Sequence, residues 1–148
     1  MDLNPAQQLL ARGYHCSESV LMAVCQEKGI ESALVPRIAS MFGGGMARTG
    51  EVCGAATGAL MCIGIKHGRE EPTQFDAEGY ALTQQFLRRF RDEMGSIQCR
   101  ELTGKDLSTP EGLQEYRSSD VPLRVCLPAV GLAYRLVLEL LQERRPEA

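Results

Sequence analysis

The chain has no excess of basic residues, no long apolar run and no leader-like start, and each absence removes a class of function. Its 16 Lys and Arg are outnumbered by 19 Asp and Glu, giving a net charge of -3. That balance leaves no cationic footprint for a phosphate backbone, so nucleic acid is not an expected partner. The first ten residues do not join a basic segment to an apolar one, so no secretory signal is expected. The most apolar stretch, 123–141, is interrupted by Arg124 and Arg135 and holds Pro128 and Gly131, which does not fit a membrane span. A cytoplasmic location follows as an expectation. In that reducing compartment, 6 cysteines fit catalysis or metal binding better than a disulfide framework.

Several familiar signatures are missing as well. Neither His15 nor His67 belongs to a C-x-x-C-H segment, which excludes covalent haem. Gly45 and Gly50 have the glycine spacing of a phosphate-binding loop, but Glu51 and Val52 stand where Lys and Ser or Thr are required. Low-complexity tracts, repeats and linkers are absent, and strand-like alternation is nearly so. What remains is 148 residues with 44% hydrophobic and 24% charged content. A chain of that length is large enough to bury roughly two-thirds of its surface in one core.

The punctuation is helical almost throughout. Asn4 and Pro5 open a short helix that Gly13 closes, and 16–28 forms a second that Gly29 stops. Residues 32–42 read as a third, ended by Gly43, Gly44 and Gly45, and Thr49 caps a fourth that runs to His67. In 73–94, Leu82, Phe86, Phe90 and Met94 share a stripe opposite Arg88, Arg91 and Asp92. Ser96 caps a short helix through Cys99 to Leu102, and a minor turn falls within 109–116. Asp120 opens a last helix whose Val130, Tyr134, Val137 and Leu141 lead to a polar tail at 143–148. The expected fold is one all-α domain over 1–148, a bundle of five main helices with two or three small ones.

Cys16 and Cys25, and likewise Cys53 and Cys62, are nine residues apart within one predicted helix. At about 100° per residue the members of each pair face opposite sides, so a shared site takes one from each helix. Position favours Cys16 and Cys53. Cys16, Cys53 and Cys99 all fall at predicted helix starts, where free N–H groups and the helix dipole lower a thiol pKa. Arg48, Arg100 and Arg124 add positive charge nearby in sequence. Cys126 lies deeper in its helix, two residues before Pro128, which removes an N–H and bends the backbone. Cys25 and Cys62 sit in apolar runs and read as small buried hydrophobes.

Gly50, Gly54 and Gly58 recur every four residues beside Ala55 and Ala59, a small-residue face open to two uses: tight helix packing or close approach of a cofactor. The Gly43 to Gly45 run is either an N–H nest for an anion or a flexible turn. His15, next to Cys16, is a thiol partner or a surface residue.

Cys16, the segment Phe42-Gly43-Gly44-Gly45-Met46, Cys53-Gly54-Ala55-x-x-Gly58-Ala59, Cys99-Arg100-Glu101-Leu102 and Cys126 together resemble the C_GCAxxG_C_C family over about 10–140. The resemblance implies an all-helical fold and a redox role for Cys16, Cys53, Cys99 and Cys126, with Gly54 and Gly58 shaping the wall beside Cys53. The family is also similar to a region of split-Soret cytochromes associated with an iron–sulfur cluster, which implies a cluster in relatives. Two redox readings follow: the four thiolates hold an iron–sulfur cluster and pass electrons to a partner protein, or they cycle between dithiol and disulfide. The alternatives are a tetrahedral zinc module, whose usual short C-x-x-C spacing is missing, and a helical small-molecule binder with buried cysteines. The acidic charge and apolar helices permit a homodimer.

Overall fold

A reciprocal cap starts the first helix, α1 (Pro5–Ala11): the Asn4 side chain accepts from the Gln7 N–H, and the Gln7 side chain accepts from the Asn4 N–H. The same two amides reach across the fold, Asn4 Nδ2 donating to Gly131 O and Gln7 Nε2 to Leu127 O, and so pin α1 to the last helix. The computed structural model describes residues 2–142; the expected polar tail at 143–148 lies outside them.

Helix α2 (Cys16–Lys28) begins after His15, whose N–H donates to the Glu18 carboxylate, and ends at Gly29 with a left-handed φ of 68°. It packs along α3 (Gly54–His67) more extensively than any other pair of helices does. Val20, Leu21 and Val24 of α2 and Ala55, Ala56 and Ala59 of α3 are all buried in the same core. Close approach is what the glycine spacing provides, since a Cβ on Gly58 would stand 2.6 Å from Ser17 O. Asp76 caps α4 (Ala77–Met94) by accepting from the Gly79 N–H, and Phe86 and Phe90 of that helix stack in the core. The short helices α5 (Cys99–Thr103) and α6 (Pro110–Ser118) precede α7 (Leu127–Leu140), which closes the bundle against α1, α2, α3 and α4.

The chain is all-α, as its patterning indicates, but several boundaries differ. Residues 32–42 are turns followed by a 3-10 helix, Arg37–Phe42, because Pro36 supplies no N–H for a regular first turn. Thr49 caps nothing: α3 starts at Gly54, and the intervening residues form an irregular loop. Helix α4 starts at Ala77 rather than 73, and the minor turn at 109–116 is a full helix capped by Thr109. The last helix does not wind regularly from Asp120. Its opening, Pro122–Cys126, is a π turn in which Leu127 N–H donates to Pro122 O, which accommodates the Pro128 ring one turn on. No helix among the described residues is by itself long and apolar enough to cross a membrane.

Candidate functional site

Four separate stretches of chain each place a cysteine at the same end of the bundle. Cys16 is the first residue of α2, Cys53 immediately precedes α3, Cys99 is the first residue of α5, and Cys126 closes the π turn before α7. A short antiparallel bridge between Val52 and Gln98 sets the second and third side by side. In it Cys53 N–H donates to Ile97 O and Cys99 N–H to Glu51 O, both at 2.7 Å. Such pairing over three residues gives no alternation for a sequence pattern to reveal.

The glycine run before Cys53 is neither a flexible turn nor a simple nest. Five consecutive residues, Gly44, Gly45, Met46, Ala47 and Arg48, have positive φ. Left-handed backbone costs a non-glycine residue roughly 1–2 kcal/mol. Offsetting bonds hold the loop: Met46, Ala47 and Arg48 N–H groups donate to Phe42, Met41 and Gly43 carbonyls, and Glu51 N–H to Gly45 O. Arg100 closes it from outside, donating to Thr49 O, Gly50 O and the Glu51 carboxylate. Gly45 is needed for space as well as for conformation, since a Cβ there would lie 2.5 Å from Cys99 Cβ.

All four sulfurs line one cavity of about 40 Å³. Gly44, Gly45, Gly54 and Ala129 give it a small-residue wall; Leu102, Leu107 and Val125 give it an apolar one. Tyr116 and Thr103 are its polar side chains besides the cysteines, and the Thr103 hydroxyl is turned back to Cys99 O. Tyr116 Oη lies 3.2 Å from Cys126 Sγ. Cys16 is partly exposed as a residue at its helix start, and its thiol neighbours that of Cys126. Among the described residues no three of the cysteine sulfurs fall within 4.8 Å of one another, so the set is wider than a single-ion cage.

The electrostatics reverse the sequence expectation that the helix-start cysteines are the acidic ones. The hydrogen bond to Cys126 and burial push Cys16 well up. Burial raises Cys53 to about 11 despite the N–H groups of Ala55 and Ala56, which pull the other way. Burial and the neighbouring sulfurs raise Cys99 to about 12. Desolvation outweighs the helix ends here, and the five-residue α5 has little dipole to offer. Only Cys126, which lies within the continuous π-to-α stretch, is lowered, to about 7, because the neighbouring Cys16 thiol and the Tyr116 hydroxyl both favour its charged form. Of the three arginines, Arg100 alone favours a thiolate, at Cys99.

Other candidates lie elsewhere. Cys25 and Cys62 are buried in the core, with Cys62 Sγ donating to Gly58 O. The His15 ring is 3.1 Å from Ser40 O, not on a sulfur. His67 Nδ1 pairs with the Asp76 carboxylate at 2.8 Å, which with Glu78 forms a small donor cluster at the start of α4. Gly54 lines the cavity, whereas Gly58 is filled by the Ser17 backbone. Tyr116 escaped the sequence reading, although Thr109 and Pro110, a cap followed by proline at the first helical position, signal the helix that carries it.

A family model described as "Putative redox-active protein (C_GCAxxG_C_C)" matches residues 14–140. No curated protein and no solved structure matches the chain.

Proposed function

The chain belongs to the C_GCAxxG_C_C family of redox-active proteins, and on that premise we propose that the four-cysteine cavity is its redox centre. Cys16, Cys53, Cys99 and Cys126 would there hold an iron–sulfur cluster. The observation that carries the proposal is the meeting of four sulfurs from four distant stretches in one small cavity. Four thiolates are the usual ligand number for such clusters. Glycines keep the space open: a Cβ on Gly54 would press to 3.3 Å on Cys16 Cβ, and one on Gly45 would press harder still on Cys99. The spacing suits a cluster of several irons better than one zinc ion, whose tetrahedral bonds of ~2.3 Å bring sulfurs to roughly 3.8 Å of one another. A bound cluster supplies one-electron transfer. The residues contribute enclosure, with Leu102, Leu107 and Val125 keeping water away, and loading releases the thiol protons that burial otherwise retains.

A second reading has its own observation, Cys16 and Cys126 side by side on the cavity wall, with the Cys126 pKa lowered to about 7. In this reading the Cys126 thiolate attacks a disulfide of a partner, whose departing sulfur takes up a proton. The Cys16 thiol then attacks the Cys126 sulfur of the mixed disulfide, its proton passing to the second departing sulfur of the partner. The Cys16–Cys126 disulfide forms, and the partner leaves with the two electrons as a dithiol. Anaerobic purification with a visible spectrum and assays of iron and acid-labile sulfide separates the two. Colourless, iron-free protein after anaerobic iron and sulfide reconstitution refutes the cluster. Failure of Cys16 and Cys126 to form a disulfide in an oxidised dithiothreitol buffer refutes the exchange couple. We further propose a protein redox partner and a cytoplasmic site of action.

A further inference from the structure

The phenol of Tyr116 has one hydrogen-bond partner among the described residues, the Cys126 sulfur at 3.2 Å. Its ring forms part of the cavity wall, while the polypeptide around it, α6, packs little against the main helices. Cys126 needs such a donor more than the other cysteines do. Cys53 lies at a helix start and receives N–H groups from Ala55 and Ala56, whereas Cys126 lies where the π turn runs on into α7: the Leu127 N–H is taken by Pro122 O, and Pro128 has none to give. A phenol is protonated at neutral pH and donates to sulfur. A hydrogen bond donated to sulfur favours the more negative, reduced state of the group that sulfur belongs to.

We infer that Tyr116 is a positioning residue that sets the reduction potential of the centre through its hydrogen bond to Cys126. The inference rests on the four-cysteine reading and deepens it, and it holds for either couple. A cluster gains one electron with its sulfur ligands unchanged; a disulfide gains two electrons and two protons to become two thiols.

The test is a potentiometric titration of the full chain and of Tyr116→Phe, which removes the hydroxyl and keeps the ring. Dithionite with mediators serves the cluster, and a dithiothreitol redox buffer serves the dithiol. Loss of the bond is expected to reduce the equilibrium constant for reduction about tenfold, a fall of ~59 mV for one electron or ~30 mV for two. Replacing Tyr116 with 3-fluorotyrosine, a more acidic donor, is expected to move the potential upward. Tyr80→Phe, at an exposed position (62%), is expected to leave it unchanged. A Tyr116→Phe potential equal to that of the unsubstituted chain overturns the inference, and so does a loss of thermal stability with no shift in potential. If the unsubstituted chain has no redox couple at all, the four-cysteine reading fails first and takes this inference with it.

Discussion

Two glycines six residues apart on α3 should respond oppositely to the same substitution. A Cβ on Gly58 would stand 2.6 Å from Ser17 O and 3.1 Å from Ser17 Cα, backbone atoms of α2 that cannot swing aside. A Cβ on Gly64 would meet nothing within 4 Å. Replacing glycine by alanine inside a helix gains roughly 0.8–1 kcal/mol through backbone entropy and propensity, and both sites share that gain. At Gly58 it is set against overpacking, typically ~1–3 kcal/mol, since the two helices must part by several tenths of an ångström along their tightest contact. Gly64→Ala should therefore stabilise by roughly 1 kcal/mol, whereas Gly58→Ala should be destabilising, or neutral at best, by up to ~2 kcal/mol. The difference between the two variants isolates the packing cost. For a chain of about this length each kcal/mol moves the thermal midpoint by roughly 2–4 °C. Urea unfolding followed by circular dichroism reads both variants, and an unchanged slope would show that only stability has moved. Equal shifts in the same direction would refute the claim that the small-residue face exists for the contact between α2 and α3.

In reduced, metal-free protein, iodoacetamide labelling followed by peptide mass mapping should modify Cys126 first. Its lowered pKa puts the thiolate in place above about pH 7, whereas Cys53 keeps its proton until about 11; labelling of Cys126 no faster than Cys53 at neutral pH would contradict this. Asp76→Ala removes both the cap of α4 and the His67 partner and should lower the midpoint of thermal melts. The same contact weakens in acid. Asp76 is lowered chiefly by the His67 hydrogen bond, so its contribution is present above the ordinary carboxylate range and disappears as pH falls through the lowered value. Cys25→Ala and Cys62→Ala should each cost on the order of 1 kcal/mol in urea unfolding and leave the potential of the centre in place, since these thiols serve the core.

The legible parts of this fold are those where one local signal decides the outcome. Glycine at 29 and 95 stops α2 and α4 in left-handed geometry where expected, and the stripe of α4 delivers Phe86 and Phe90 to the core. The opposite-face reasoning also separates Cys25 and Cys62 from the four cysteines of the cavity. Illegible were the features made by distant partners. The loop between Phe42 and Cys53 takes its shape from bonds to Gly43 and Gly45 carbonyls and from Arg100, about fifty residues on, so Thr49 looked like a cap and is not. The acidity order inverted for a related reason. Helix position is written in the sequence, but the Cys126 thiol beside Cys16 and the burial of Cys53 and Cys99 are not, and these raise the three cysteines whose position favours ionisation. Nothing in the sequence marks the Tyr116 side chain, because its importance lies in what it touches across the cavity.

The widened turn at Pro122–Cys126 holds one residue more than regular winding would require. That surplus offsets the angular phase of everything before it from everything after it by about 100°. Val125 and Cys126 reach the cavity from one flank of the turn, and Ala129 reaches it from the other. Deleting a single residue there would bring the Pro128 ring against the preceding turn and rotate one flank away from the sulfurs. The irregularity is thus a phase adjuster, and the chemistry of this end of the bundle depends on its length being wrong for an ideal helix.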